Sequence, residues 1–333
     1  MSDVVVARPV LDGARASEAA FEGFVRSGAT VEMKAFTGVT GDAGGFAVPK
    51  EIDQVIETAL KAASPIRAIA NVVKVGTSGY RKLVTTGGTP SGWAAETQGR
   101  PETATPLFHE IAPPMGELYA NPSASQAMLD DAAFDVEEWL AGEIATEFAR
   151  AEGAAFVNGS GVNRPKGFLT YPTAAATDVG RAFGTLQHLA TGSASELGSG
   201  FAERLVDLVH ALRSPYRQGA CFVMNAATLA RIRKLRTGDG AFLWQPSLSE
   251  GQPATLLGYP VVEAEDMPDV AANALPIAFG NFRAGYLVAE RTETAILRDP
   301  YSNKPFVSFY ATKRVGGALV NSEAIKLVRV SVS

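Results

Sequence analysis

A long amphipathic helix that ends in a glycine-dense turn constrains this chain more than any other feature. Its apolar positions recur at helical spacing: Leu140, Ile144, Phe148, Ala151 and Ala155. This stripe predicts one helix over Asp135–Phe156, a rod of about 33 Å at about 1.5 Å per residue. The charged residues fall largely on its other faces: Glu137, Glu143, Glu147, Arg150 and Glu152. We expect this rod to be the backbone of the molecule.

The turn that follows, Phe156–Phe168, reads FVNGSGVNRPKGF. Gly159, Gly161 and Gly167 predict positive φ angles, and Pro165 stiffens the backbone again. Read as chemistry, Gly159-Ser160-Gly161 lacks the G-x-S-x-G spacing of a nucleophile elbow, and no strand-like run precedes it. The pattern favours a structural turn over a catalytic serine.

Composition describes an ordinary folded protein. The 333 residues are 46% hydrophobic and 20% charged, which suits one large core or two modest ones. The longest apolar runs fall far short of the roughly 20 residues of a membrane span. Met1–Gly13 lacks the basic and apolar regions of a secretory signal. We therefore expect assembly in the cytoplasm and no membrane partner.

The residue types that usually carry chemistry are sparse. Cys221 is the single cysteine and lies in an apolar run, where a small buried side chain is expected. His109, His188 and His210 lie far apart in sequence, and none has a second His or a Cys at the ligand spacing of a helix or hairpin. The sequence predicts no catalytic residues, no metal site and no cofactor.

The segment before the long helix predicts a projection. A helix is expected over Lys50–Ala63, with strands over Ile69–Val75 and Arg81–Thr85. The stretch from Thr85 to Thr105 is rich in glycine and proline, and such a loop suits a projection that packs on a neighbouring molecule. Trp93 is the candidate anchor. A local aromatic cluster under the loop remains the alternative.

The second half of the chain predicts a separate compact domain. Helices are expected over Gly200–Leu212 and Ala226–Leu235, on either side of a strand at Cys221–Met224. Further strand candidates are Val261–Val262, Ile277–Phe279, Gly285–Glu290, Glu293–Leu297 and Val307–Thr312. The last two flank the turn Asp299–Pro305 and predict a long hairpin with an exposed tip.

Charge is divided unevenly between two segments. The net charge of −5 argues against general nucleic-acid binding. Residues 84–163 hold many acids and only two arginines, Arg100 and Arg150: Glu96, Glu102, Glu110, Glu117, Asp130, Asp131, Asp135, Glu137, Glu138, Glu143, Glu147 and Glu152. From residue 283 onward basic residues predominate: Arg283, Arg291, Arg298, Lys304, Lys313, Arg314, Lys326 and Arg329. The segments suit contact across a subunit boundary, although two solvated faces would give the same pattern.

Several motifs occur in an order that resembles a known family. They are Gly44-Gly45-Phe46-Ala47-Val48-Pro49, the glycine-rich projection, the long helix ending in Asn158-Gly159-Ser160-Gly161, Leu257-Gly258-Tyr259-Pro260-Val261-Val262, and Asp299-Pro300-Tyr301. From about Ala35 to Val330 the chain resembles the major capsid proteins of tailed phages with the HK97 fold, and of gene transfer agents with the same shell.

The resemblance implies an α+β, HK97-like capsid fold with an N-arm, an E-loop, a peripheral domain built on a long spine helix, and an axial domain. The implied divisions are residues 1–34 as a propeptide-like or scaffolding remnant, 35–49 as the N-arm, 76–114 as the E-loop, 50–75, 115–175 and 283–314 as the peripheral domain, and 176–282 and 315–333 as the axial domain.

The implied function is structural. Subunits assemble into pentamers and hexamers of an icosahedral-type shell around packaged double-stranded DNA, which is contained with little specific binding. Further implied partners are a portal, a maturation protease, and scaffolding or decoration proteins. The location is a virion or phage-like particle assembled in the bacterial cytoplasm. We expect contacts between subunits at Trp93, Arg100, Arg298, Tyr301 and Lys304.

Two departures from the family qualify this expectation. Some relatives join subunits by an isopeptide bond from an E-loop lysine, assisted by a glutamate. Here no lysine lies between Lys82 and Lys166, and the glutamate's strand reads Ala311-Thr312-Lys313-Arg314, so we expect no self-crosslinking. Relatives often lose an N-terminal segment of about a hundred residues; here the implied cut falls between Lys34 and Ala35, after a much shorter segment.

Two other classes remain as alternatives. An encapsulin uses the same fold to enclose enzymes, although such proteins begin near the fold-bearing part of the arm. A soluble hydrolase would need Ser160 or a carboxylate such as Glu110 as its catalytic group. No recognisable set of base, acid and orienting group accompanies either residue.

Overall fold

A long helix, two main β-sheets and a separate hairpin make up the described part of this computed structural model. The described residues are 64–77, 79–86, 91–100, 102–103, 105, 107–131, 136–198, 200–235 and 255–332. The predictions for residues 1–34, for the arm, for the cut between Lys34 and Ala35, and for a helix over Lys50–Ala63 lie outside them.

The spine helix, α3, covers Val136–Asn158 and confirms the predicted rod. Its buried face was predicted only in part. Ile144 and Phe148 are buried, but Ala151 is exposed and Ala155 is half-buried. Glu152, which we expected on another face, is fully buried. The helix has 3.6 residues per turn. Over several turns its buried side therefore moves to Ala149, Glu152 and Phe156.

The first sheet lies against the spine helix. Its order is β1 (Asn71–Val75), β12 (Tyr286–Asp299), β13 (Phe306–Leu319) and β4 (Met115–Ala120), with β5 (Ser123–Ser125) also paired to β13. The strands predicted at Gly285–Glu290 and Glu293–Leu297 are one continuous strand whose register shifts between Arg291 and Ala295. A bulge tolerates a local change of pattern without ending the strand.

The second sheet has seven strands. Their order is β6 (Thr173–Ala174), β7 (Leu186–Ala190), β14 (Ile325–Arg329), β11 (Ile277–Gly280), β8 (Cys221–Met224), β10 (Tyr259–Glu263) and β9 (Thr255–Leu256). Helices α4 (Phe201–Ala211) and α6 (Ala226–Arg233) pack their apolar sides on it, around Phe222 and Phe279. Both helices were predicted from the helical spacing of their apolar residues, and the strand at Cys221 from its short apolar run.

Short elements complete the fold. They are α1 (Pro65–Ile69), α2 (Gln126–Asp131), α5 (Ser214–Arg217), α7 (Phe282–Gly285), and two 3-10 turns at Phe168–Thr170 and Asp178–Gly180. Ile69 belongs to α1 and not to the predicted strand. Two further strands, β2 (Lys82–Thr86) and β3 (Leu107–Ile111), form an antiparallel hairpin. None of the described helices has the length and apolar character needed to cross a membrane.

Apolar packing joins the spine helix to both sheets. Phe156 at the end of the helix meets Tyr286 at a ring-centroid distance of 6.0 Å. Phe168, just after the turn, meets Phe282 at 5.3 Å. Leu186, Val223 and Leu327 of the second sheet belong to the same buried cluster. The turn after the spine helix therefore lies where the main core joins the two sheets.

Candidate functional site

The turn after the spine helix is closed by backbone hydrogen bonds. Gly159 N donates to Ala155 O at 2.9 Å, and Gly167 N donates to Gly159 O at 2.9 Å. Gly161 has φ +78° and Asn163 has φ +55°, whereas Gly167 has φ −66°. The expectation of positive φ at all three glycines is thus correct only for Gly161.

Gly159 and Gly167 are required for a different reason. A Cβ on Gly159 would lie 2.2 Å from Pro165 O, and one on Gly167 would lie 2.3 Å from Val157 O. These distances are shorter than any real contact of a Cβ atom. They cannot be relieved easily, because the opposing oxygens belong to the backbone. The two glycines let the returning chain lie directly against the end of the helix.

Glycines of the first sheet hold the turn from the other side. Lys166 N donates to Gly317 O at 3.0 Å, and the Tyr286 hydroxyl donates to Lys166 O at 2.8 Å. A Cβ on Gly116 would lie 2.6 Å from the Arg164 Cα. Sequence reasoning missed this contact, although adjacent glycines at 316 and 317 within an apolar strand signal a close backbone approach.

Four buried charges link the spine helix, α1 and the long strands. Arg67 Nη1 lies 3.2 Å from Glu152 Oε2, and its Nη2 lies 2.6 Å from Glu290 Oε2. Lys313 Nζ lies 2.7 Å from Glu152 Oε1 and 3.1 Å from Glu290 Oε1. We call Arg67, Glu152, Glu290 and Lys313 the charge ring, because each cation contacts both carboxylates.

The charge ring depends on internal pairing. Burial alone would raise the pKa of Glu290, but Lys313 and Arg67 outweigh that effect and the pKa is lowered. The sequence did not reveal the ring. The available signal was Lys313 itself, a charged residue in register with the buried positions Phe309, Ala311 and Val315 of β13.

The β2–β3 hairpin presents apolar side chains to solvent. Leu83 is 68% exposed and Phe108 is 66% exposed. Trp93, in the segment that the hairpin frames, is fully exposed, and Arg100 is exposed as well. Within the described residues no aromatic cluster covers Trp93, so the alternative of a local cluster under the loop is not supported.

The tip of the long hairpin is ordered by Asp299. Its carboxylate accepts hydrogen bonds from Tyr301 N at 2.9 Å and Ser302 N at 3.1 Å, and from the Ser302 hydroxyl. This fold of the tip leaves Tyr301 and Lys304 exposed. Arg298 differs: its side chain is 16% exposed, and its Nε lies 3.3 Å from Glu137 Oε1 of the spine helix.

The first sheet also has an apolar outer face. On β12 and β13, Leu297 is directly opposite Tyr310, and Tyr119 of β4 is opposite Thr312. Leu297, Tyr310 and Tyr119 are 44%, 39% and 71% exposed, while the alternate residue Ala311 is buried against the spine helix. Within one subunit this face is open to solvent.

Within the described residues, no group of three or more His, Cys, Asp or Glu side chains could hold a metal ion. Ser160 is exposed, and its Oγ accepts a hydrogen bond from Val162 N at 3.4 Å. The candidate functional features of the described residues are thus a backbone turn, a set of buried ion pairs and exposed apolar patches.

Comparison with known proteins identifies the family. The profile of the phage capsid family matches residues 44–330. A structure described as the capsid of a native GTA particle computed with C5 symmetry is 45% identical, with a TM-score of 0.75, and the match covers 89% of this chain and 96% of that one. The capsid of an empty GTA particle is 44% identical, with a TM-score of 0.75, over 91% and 98% of the two chains.

A more distant match shows the fold alone. The structure from Microbacterium phage Oxtober96 is 12% identical, with a TM-score of 0.60, over 90% of this chain and 98% of that chain. No curated protein sequence matches significantly. The expected α+β, HK97-like fold is confirmed by these matches.

Proposed function

The chain belongs to the phage capsid family, and we propose that it is a major capsid protein whose copies form the pentamers and hexamers of an icosahedral-type shell around packaged double-stranded DNA. The observation that carries this is the 45% identity to a GTA capsid subunit over 89% of the chain. The match covers 96% of that subunit as well, so the two chains are similar over most of their lengths.

The two sheets support the proposed domains. The strands of the first sheet lie within or border residues 50–75, 115–175 and 283–314, the proposed peripheral domain. Those of the second sheet fall almost entirely in the proposed axial domain, residues 176–282 and 315–333. Strand β13 runs through the proposed boundary at Arg314, so the two domains share a continuous strand. Residues 76–114, the proposed E-loop, contain the β2–β3 hairpin.

The exposed side chains support the proposed contacts between subunits. Four of the five proposed contact residues are exposed in the single subunit: Trp93, Arg100, Tyr301 and Lys304. Exposure is what we expect of side chains that become buried only on assembly. Arg298 is a weaker candidate, because it already contacts Glu137 within its own chain. The acidic outer side of the spine helix, with Glu138, Glu143 and Glu147, suits a basic neighbour such as Lys304.

The proposal of further partners is based on family membership alone. They are the DNA, a portal, a maturation protease acting between Lys34 and Ala35, and scaffolding or decoration proteins. Assembly would take place in the bacterial cytoplasm. An encapsulin-type compartment and a soluble hydrolase are less favoured, because the GTA and phage capsid matches span nearly the whole chain.

Expression of the full chain, followed by negative-stain microscopy and nuclease digestion, tests the proposal. We expect closed shells, and nuclease-protected double-stranded DNA in particles made with their packaging partners. Particles that hold a protein cargo and no DNA would instead support the compartment. A chain that stays monomeric under all conditions would contradict a shell subunit.

Denaturing gels and intact mass test two finer points. Boiled particles should give one monomer band, because the strand at Lys313 offers no free catalytic glutamate and the projection has no lysine between Lys82 and Lys166. A covalent ladder would contradict this. Mature subunits should begin at Ala35, and a mass that still includes Met1 or Ser2 would refute processing.

A further inference from the structure

The β2–β3 hairpin has two unlike faces. Side chains alternate along a strand, and paired residues share a face: Val84 lies opposite His109, while Thr85 lies opposite Phe108. Val84 and His109 are half-buried, whereas Thr85 and Phe108 are exposed. A two-stranded hairpin is marginally stable alone, so whatever covers the first face determines where the hairpin points.

His109 is covered by an aromatic ring of its own chain. Its imidazole stacks on Phe183 with a centroid distance of 4.6 Å and an interplanar angle of 12°. Phe183 lies between the 3-10 turn Asp178–Gly180 and strand β7, beside the second sheet. The hairpin is thereby joined to a part of the chain that follows it by more than seventy positions.

The loop that carries Phe183 is rigidly held. The Arg181 guanidinium donates from Nε to Thr185 O at 2.7 Å and from Nη2 to Ser322 O at 3.1 Å. Its Nη2 also lies 2.6 Å from the Asp178 carboxylate, and the Arg181 side chain is only 2% exposed. Asp178 is in turn paired with the buried Lys326. Phe183 is thus presented on a loop fixed at both ends.

We infer that the His109–Phe183 stack anchors the hairpin to its own subunit and thereby aims the opposite face, with Leu83 and Phe108, at a second copy of the chain. Arg181 acts as a positioning residue, because its contacts with Thr185, Ser322 and Asp178 fix the loop that carries Phe183. The contact with a second copy rests on the proposed function. The anchor within one chain rests on the observed ring stack alone.

The two faces can be altered separately, which makes the anchor testable. His109→Ala and Phe183→Ala each remove one ring of the stack. His109→Phe keeps a flat aromatic ring and should restore it. Phe108→Ala is the matched control, because it removes an aromatic ring one position away on the exposed face.

Hydrogen exchange on unassembled subunits measures the anchor directly. His109→Ala and Phe183→Ala should each speed amide exchange in Lys82–Thr86 and Leu107–Ile111 by about two- to tenfold, the range expected for loss of an aromatic pair. The double variant should add nothing further, and His109→Phe should return to the wild-type rate. Exchange in Cys221–Met224, deep in the second sheet, serves as the internal standard for folding.

Unchanged exchange in both alanine variants, or an equal increase in Phe108→Ala, overturns the anchor. Shell yield then tests the aiming step: Phe183→Ala and Phe108→Ala should both assemble poorly, but only the first should alter exchange. Normal shells from Phe183→Ala with faster exchange would overturn the aiming step. Wild-type chains that form no shells would contradict the proposed function, and the exchange result would still decide the anchor.

Discussion

At the scale of single residues, the turn after the spine helix depends on glycine for two distinct physical reasons. Gly161 has a left-handed backbone conformation that L side chains rarely adopt. Gly159 and Gly167 have opposing carbonyl oxygens where a Cβ would stand. Sequence inspection finds all three positions but cannot separate these reasons, because crowding depends on chain segments that pack together only in the folded state.

We expect Gly159→Ala to lower the free energy of unfolding by about 2–3 kcal/mol, since backbone atoms on both sides must shift. The matched control is Gly142→Ala within the preceding spine helix, where nothing lies within 4 Å of the new Cβ. That change should raise stability by about 0.5–1 kcal/mol. Urea unfolding of both subunits measures the difference, and equal effects would contradict the crowding.

Burial controls the single thiol. Burial raises the pKa of Cys221 to about 12, and the side chain is 5% exposed, so almost no thiolate is present near neutral pH. We expect no reaction with a maleimide at pH 8 in the folded subunit and complete reaction after denaturation. Rapid labelling of the folded subunit would show that strand β8 opens.

At the scale of elements, the charge ring fixes the spine helix on the long strands. Removing one partner of a buried ion pair leaves an uncompensated charge, which costs about 3–5 kcal/mol. We expect a loss of this size for Lys313→Met, measured by chemical unfolding. Arg150→Ala, which breaks the exposed pair with Glu147, should change stability little. Similar small effects from both variants would mean that the ring is solvated.

The charge ring also predicts acid sensitivity. A carboxyl whose pKa is lowered on folding stabilises the folded state above its unfolded pKa, and this stabilisation is lost as pH falls through the folded pKa. The pKa of Glu290 is lowered from 4.5, so the loss begins at about that pH. The Glu290→Gln subunit should be less stable than wild type at neutral pH. Its free energy of unfolding should fall less steeply than that of wild type as the pH drops below about 4.5. Parallel curves for the two proteins would refute the assignment.

At the scale of the whole molecule, substitutions near the tip of the long hairpin should distinguish an effect on assembly from an effect on folding. Lys304 is exposed, so Lys304→Glu should reduce shell formation while leaving subunit stability unchanged. Arg298→Glu should reduce both, because it also places a carboxylate against Glu137. Thermal unfolding of soluble subunits and particle counts by microscopy measure the two effects. Normal shells from Lys304→Glu would argue against a contact at the tip.

The segments that follow a strong local rule could be predicted from the sequence. The spine helix, α4 and α6 were predicted because their apolar residues recur at helical spacing, and β8 because it is a short apolar run. The order of the motifs was also enough to recognise the family, which the family profile over residues 44–330 confirms.

The buried charges and the contacts between distant segments became visible in the folded chain. Arg67, Glu152, Glu290 and Lys313 lie in four elements that are distant along the chain, and no local pattern distinguishes them from solvated charges. The same holds for His109 and Phe183. Burial and pairing are properties of the packed chain: a charged or aromatic side chain acquires its partner, and its physical role, only when the elements that carry both come together.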